Sequence, residues 1–300
     1  MAGVQRRARE SGVFWVALGA ALWGTDPVLR HSLAGQASNA WIVFGEHAIL
    51  TLVLLPWLVR NRAKLGGLGP RDWAVMLWIS WGGSAIGTLC YTQAIRIGNP
   101  TVAALLQKLQ PVVAAGLAGW VLKERQPRQI SYWLRACVAL CAAYLVSFGA
   151  SWPGNDLIGT RSLGVAFAVA AAAIWGSCTV AGRYLAPKLG PLPLTSLRIV
   201  LASPLTAALA LASPFPASVD GTFAATLAAV AFVPGLLALL AYYKGLRRTS
   251  ASLATLAELC FPATAAMLNW VVLGTALSPV QIAGAILLVG ALTWRDYPRG

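Results

Sequence analysis

Apolar runs of about twenty residues recur along the whole chain, separated by connections of only a few polar or basic residues. No other feature restricts the fold as much. An ordinary soluble domain carries about 25% charged residues, whereas 11% of these 300 residues are charged and 58% are hydrophobic. A soluble core of this size cannot absorb that much apolar surface, so the chain reads as an all-α integral membrane protein. Ten spans are expected, at 13–33, 40–59, 72–95, 101–121, 129–149, 163–185, 192–212, 222–244, 251–273 and 279–294. The connections leave no room for a soluble domain with chemistry of its own.

The formal net charge of +14 raises the question of nucleic acid, but its distribution answers it. Arg and Lys collect in alternate connections. One set holds Arg6, Arg7, Arg9, Arg60, Arg62, Lys64, Arg71, Lys123, Arg125, Arg128, Arg183, Lys188, Lys244, Arg247, Arg248, Arg295 and Arg299, and the other only Arg30, Arg96 and Arg161. The positive-inside rule then puts both termini in the cytoplasm, with anionic lipid headgroups as neighbours of the basic loops. No nucleic-acid partner is expected. The five cysteines, Cys90, Cys137, Cys141, Cys178 and Cys260, all fall inside spans without a CxxC pair and read as small apolar packing residues.

The chain also resembles itself. Shifted by 152 residues, Val13–Ala34 falls on Val165–Ala186 with Val13, Ala20, Ala21, Trp23, Gly24, Val28, Leu33 and Ala34 identical. Shifted by 151, Thr101–Trp120 falls on Ser252–Val271, and Pro111 meets Pro262. The expected organisation is a basic N-terminus (1–12), a first five-helix unit (13–150), a short external linker (151–162), a second unit (163–294) and a C-terminal tail (295–300). Five is odd, so the second unit begins on the opposite side of the membrane from the first. Two inverted five-helix repeats around a central cavity are the architecture of secondary transporters. The repeat also argues that the first span is retained, since its twin is internal.

Candidate site residues follow from depth. Trp23 and Trp175 are central in their spans, far from the headgroups where Trp usually sits; each precedes a Gly, and the plain alternative is helix packing. Pro111 and Pro262 are also central, and each is expected to free the carbonyl four residues earlier, at Gln107 and Glu258. Ionisable groups within spans are costly and call for an explanation: Asp26, Glu46, Lys108, Arg135, Arg198 and Glu258. Arg135 lies near a cytoplasmic end, where it can snorkel. Glu46 and Arg198 are repeat equivalents and are expected to pair with each other or hold a gate. Asp26 and Pro27, in "ALWGTDPVL", break the first span and read as a hinge or gate toward the outside. "GGSAIG" at 82–87 and "AAGLAG" at 114–119 are packing faces rather than phosphate cradles. No Walker A loop, HExxH or acidic metal pair occurs, so neither an enzyme nor a cofactor is expected.

The stretches "ALWGT", "AIWGSCTVAGRYLAP" and "LLQKLQPVVAAGLAGWVLKERQ" resemble the drug/metabolite transporter superfamily, namely ten-span carriers with two EamA-type repeats. The second copy departs from the fourth-span pattern, with Thr275 where Glu124 leads one to expect an acid. Within the superfamily the chain is similar to the aromatic amino-acid exporters of the YddG type. The resemblance implies a plasma-membrane exporter, in a bacterial inner membrane, of aromatic or neutral amino acids and related metabolites, working by alternating access. Trp23, Trp175, Tyr91, Tyr242 and Tyr243 would supply stacking surface, and Gln107, Lys108 and Glu258 would meet carboxylate and ammonium groups. Two alternatives stand beside it: efflux of organic cations or drugs by the same fold, and a membrane scaffold without transport.

Overall fold

In a computed structural model of the protein, the residues described are 2–33, 35–97, 100–124, 130–151, 162–216, 219–274 and 276–293. Among them all regular structure is helical. The linker expected at 151–162 lies outside the described residues except at its two ends, as do Arg125, Arg128, Arg161, Thr275, Arg295 and Arg299.

The first half comprises α1 (Ala2–Trp23), α2 (Asp26–Leu33), α3 (Asn39–Arg60), α4 (Pro70–Leu77), α5 (Gly87–Ile97), α6 (Pro100–Gln107), α7 (Gln110–Val121) and α8 (Ile130–Phe148). The second comprises α9 (Ser162–Leu189), α10 (Pro191–Leu211), α11 (Gly221–Val230), α12 (Ala238–Leu246), α13 (Ala251–Ala257), α14 (Cys260–Leu273) and α15 (Pro279–Thr293). Two wider π-helical stretches, Trp78–Ile86 and Ala231–Leu237, join α4 to α5 and α11 to α12. Pro234 explains the second, because a proline withholds one N–H from the ladder. The first holds the Gly82–Gly83 pair instead.

Seven helical stretches are long and apolar enough to cross a membrane: Ser11–Leu33, Asn39–Arg60, Pro70–Ala94, Ser162–Leu189, Pro191–Leu211, Gly221–Leu246 and Ala251–Val272. Three shorter apolar helices, Gln110–Val121, Trp133–Phe148 and Pro279–Leu292, fall where three further spans were expected. Length and composition therefore support seven crossings directly.

Packing is reciprocal between the halves. α1 runs along α12 and α9 along α5; α3 packs on α10 and α8 on α15, while α7 meets α13. Small residues make the closest crossings possible. A Cβ on Gly245 of α12 would stand 2.5 Å from the Gly12 carbonyl oxygen of α1, and one on Gly284 of α15 would stand 2.8 Å from Leu145 Cβ of α8. The largest core cluster, including Val16, Leu50, Met76, Ile79, Leu185, Leu194 and Tyr243, lies where α1, α3, α9, α10 and α12 converge. Outward faces remain apolar, with Leu52, Trp120, Val271 and Ile286 exposed, as a lipid-facing surface requires.

Candidate functional site

Three helix breaks organise the interior. In the first, α1 ends at Trp23 and α2 restarts at Asp26. Thr25 closes the turn locally, donating from its N–H (3.1 Å) and its hydroxyl (2.7 Å) to the Leu22 carbonyl. Gly24 is required by a close approach: a Cβ there would stand 2.6 Å from Thr264 Cβ of α14. The repeat equivalent, around Trp175 and Gly176, shows no break, and α9 continues through it.

The second and third breaks are equivalent. α6 gives way to α7 at Lys108–Leu109, and α13 gives way to α14 at Glu258–Leu259, with Pro111 and Pro262 just inside the restarted helices. The prolines do not sit in kinked continuous helices, as the sequence suggested. Each chain segment instead closes a tighter turn, Leu109 N–H donating to Leu106 O (3.0 Å) and Leu259 N–H to Leu256 O (3.1 Å). The Glu258 carbonyl is not free either, since Phe261 N–H donates to it at 3.0 Å. A full helix would have needed a hydrogen bond that proline cannot give, and a short i→i+3 turn satisfies the neighbouring groups at lower cost.

These two breaks face each other. Gln110 Nε2, at the start of α7, donates to Glu258 Oε2 at 2.5 Å. Glu258 Oε1 accepts from Tyr242 OH (2.9 Å) and Thr179 Oγ1 (3.2 Å), and Tyr242 OH also lies 3.0 Å from Thr179 Oγ1. Both carboxylate oxygens are thus engaged by α7, α9 and α12. Lys108 is half-buried and has no hydrogen bond or ion pair among the described residues. Gln107, beside it, is likewise half-buried.

The aromatic residues form two Trp–Tyr pairs. Trp23 lies against Tyr242 (ring centroids 5.0 Å) and Trp175 against Tyr91 (5.5 Å). Trp175 Nε1 donates to the Gly83 carbonyl at 3.0 Å, which is why Gly87 has no room for a side chain beside the indole. Tyr242 and Tyr243 are buried, and Tyr243, 1% exposed, is walled in by Gly182 and Leu246. Tyr243 therefore offers no open face for stacking; Trp23, Trp175 and Tyr91 are only partly covered.

Glu46 and Arg198 do not pair with each other. Glu46 accepts from Arg30 Nη2 (2.6 Å), and Arg30 Nε also holds Asp26 (2.6 Å), so one guanidinium joins α2 to α3. Arg198 donates to Tyr243 OH (3.0 Å) and Ser84 Oγ (3.2 Å). Each packs against a glycine of the opposite half, Arg198 on Gly83 and Glu46 on Gly235. Pro27 follows Asp26 in the first turn of α2 and is exposed. Sequence reading placed Arg30 only in a loop charge count and gave Thr179 no role. Arg30 stands four residues after Asp26, the spacing of a helical ion pair, and that signal could have found it. Nothing in the sequence pointed Thr179 toward Glu258.

A helical bundle whose two halves pack reciprocally, with polar breaks facing one another in the interior, is the arrangement of a membrane carrier. The chain belongs to the EamA-like transporter family, which it matches over residues 10–148 and again over 162–294. It is 32% identical over 295 residues to a protein of Fusobacterium nucleatum named riboflavin transporter ImpX, covering 93% of this chain and 95% of that one. Its fold is also similar to that of a protein of known crystal structure, with a TM-score of 0.75 at 19% identity, over 94% of this chain and 95% of the other. It is a multi-pass membrane transporter.

Proposed function

We propose that this transporter moves a flat aromatic or heteroaromatic metabolite, riboflavin foremost, by alternating access between two inverted five-helix repeats. The observation that carries the reading is the pair of facing breaks at Lys108 and Glu258, with Tyr242 of the Trp23–Tyr242 ring pair hydrogen-bonded to Glu258 and a second ring pair, Trp175–Tyr91, partly covered. Broken helices at membrane depth belong where a polar solute or water meets the backbone. Partly covered rings beside them suit a planar ligand, at about 0.5–1.5 kcal/mol per aromatic contact. The name of the 32% identical relative supports a flavin.

The repeat reading rests on one contact in particular: Thr51 Oγ1 and Ser203 Oγ, equivalents at the 152-residue shift, meet at 2.6 Å. A residue that touches its own equivalent lies on the axis relating the two copies. Seven long and three shorter apolar helices then make ten crossings, and the charge asymmetry puts both termini on the cytoplasmic side of a bacterial inner membrane.

Aromatic amino acids are the second reading. Opposite charges at Lys108 and Glu258 favour a zwitterion, but the three donors already on Glu258 weigh against an ammonium there. Proteoliposomes holding the purified protein decide between them. Riboflavin flux above empty vesicles, reduced by excess unlabelled riboflavin and little affected by tryptophan, is expected. Tryptophan flux without riboflavin flux would favour the exporter reading, and flux of neither would overturn both.

A further inference from the structure

We infer that Lys108 reads an oxygen-acceptor edge of the substrate, so that the carrier accepts flat rings bearing a carboxylate or paired ring carbonyls and rejects cationic ones. The inference takes the aromatic ligand from the reading above and adds how one end of it is held.

Three observations carry it. Lys108 and Glu258 stand in facing breaks, yet they do not pair; Gln110, two residues from Lys108, takes the carboxylate instead. Glu258 is filled, with Oε1 accepting from Tyr242 and Thr179 and Oε2 from Gln110. Lys108 itself is half-buried and has no hydrogen bond or ion pair among the described residues. What remains without a partner among them at these two breaks is a donor.

A Lys within a membrane span is costly, and an acceptor brought by the ligand relieves part of that cost. An ammonium has three donors and no acceptor, so it suits a carboxylate or the dione edge of a flavin ring equally well. A cationic ligand would meet the Lys108 ammonium facing a Glu258 carboxylate whose oxygens are already engaged. Organic-cation efflux, one of the alternatives raised from the sequence, is therefore disfavoured at these two breaks.

Ligand-induced thermal stabilisation of the purified full chain in detergent tests this with four ligands: riboflavin, indole-3-acetate, indole-3-acetamide and tryptamine. Riboflavin and indole-3-acetate are expected to stabilise, the amide to need at least tenfold higher concentration than the acid, and tryptamine to have no effect. In Lys108→Met the tenfold preference for acid over amide disappears, and in Lys108→Arg most of it remains. Lys108→Gln, of similar length and neutral, supplies the same comparison should the Met variant not fold. An unchanged acid preference in the neutral variants overturns the inference, as does tryptamine binding as tightly as the acid, or no binding by any of the four. Binding is read without transport. A protein that shows the Lys108-dependent preference but moves nothing sinks the transport reading alone, whereas flux without that preference sinks this inference alone.

Discussion

Glu258 illustrates how a single side chain acquires its meaning from its neighbours. Three donors from α7, α9 and α12 end on its carboxylate, so it joins three helices as well as facing a break. Removing it strands those donors, and each buried group left without a partner costs about 1–3 kcal/mol. Glu258→Ala is therefore expected to lower the unfolding midpoint in detergent clearly, and Glu258→Gln to lower it less, since the amide oxygen still accepts. Equal midpoints for Glu258→Ala and the unaltered protein would show that the network contributes nothing. The sequence marked Glu258 through its depth and its place four residues before Pro262. It could not show that the carboxylate was filled, because Thr179 and Tyr242 come from segments far away in the chain.

At the scale of elements, the three breaks differ in what holds them. The α1–α2 break is tied by ions: Arg30 bridges Asp26 and Glu46, all three only partly exposed. Surface pairs are worth about 0–1 kcal/mol and breaking buried ones costs about 3–5 kcal/mol, so Arg30→Ala is expected to fall between, at roughly 1–3 kcal/mol. An Arg30→Met, Asp26→Asn, Glu46→Gln triple variant should recover much of that loss in chemical unfolding, because no acid is then left unpaired. If the single variant were as stable as the triple one, the ion triad would not be what fixes α2 on α3. Helix crossings give a second test. Gly245→Ala drives a methyl into the backbone of α1 and should cost at least about 1–3 kcal/mol, whereas Gly116→Ala meets nothing within 4 Å and should gain up to about 1 kcal/mol from helix propensity. Thermal unfolding of both, run side by side, would expose an error in the α1–α12 crossing if they shifted alike. The broken helices were legible as proline positions, but their form was not. A proline states that one hydrogen bond is missing; whether the chain bends or restarts depends on what packs on either side.

For the whole molecule, the reciprocal packing of α1 on α12 and of α9 on α5 sets the geometry in which two halves could rock. Contacts on the relating axis should keep their distance while others change. A Thr51→Cys, Ser203→Cys pair, in a background with the five native cysteines replaced, is expected to cross-link under mild oxidation and to keep riboflavin flux within about twofold, since their hydroxyls stand 2.6 Å apart. Abolished flux on cross-linking would mean that the axis does not run there. The departures from symmetry matter as much. At the 152-residue shift Asp26, Arg30 and Glu46 correspond to Cys178, Gly182 and Arg198, so an ion triad in one half is replaced by a guanidinium held by a serine and a tyrosine in the other. The equivalent positions in the two halves are thus held by different chemistry, ions in one and neutral hydroxyls in the other.

The sequence by itself determined that this chain lives in a bilayer, that its halves share one pattern, and that the midspan Trp, Pro and ionisable residues are the places to look. Those properties are local or periodic: hydropathy, charge alternation and proline chemistry act within a segment and need no partner. Tertiary structure decided the partners. Glu46 could be matched with Arg198 by repeat position, yet in the folded chain Glu46 pairs with Arg30 and Arg198 with Tyr243. The same holds for Lys108 and Glu258, which oppose each other in charge and in place but stay unpaired because Gln110, Thr179 and Tyr242 reach the carboxylate first. Pairing is a matter of distance between segments, and in a bundle of helices only the packing of side chains sets that distance.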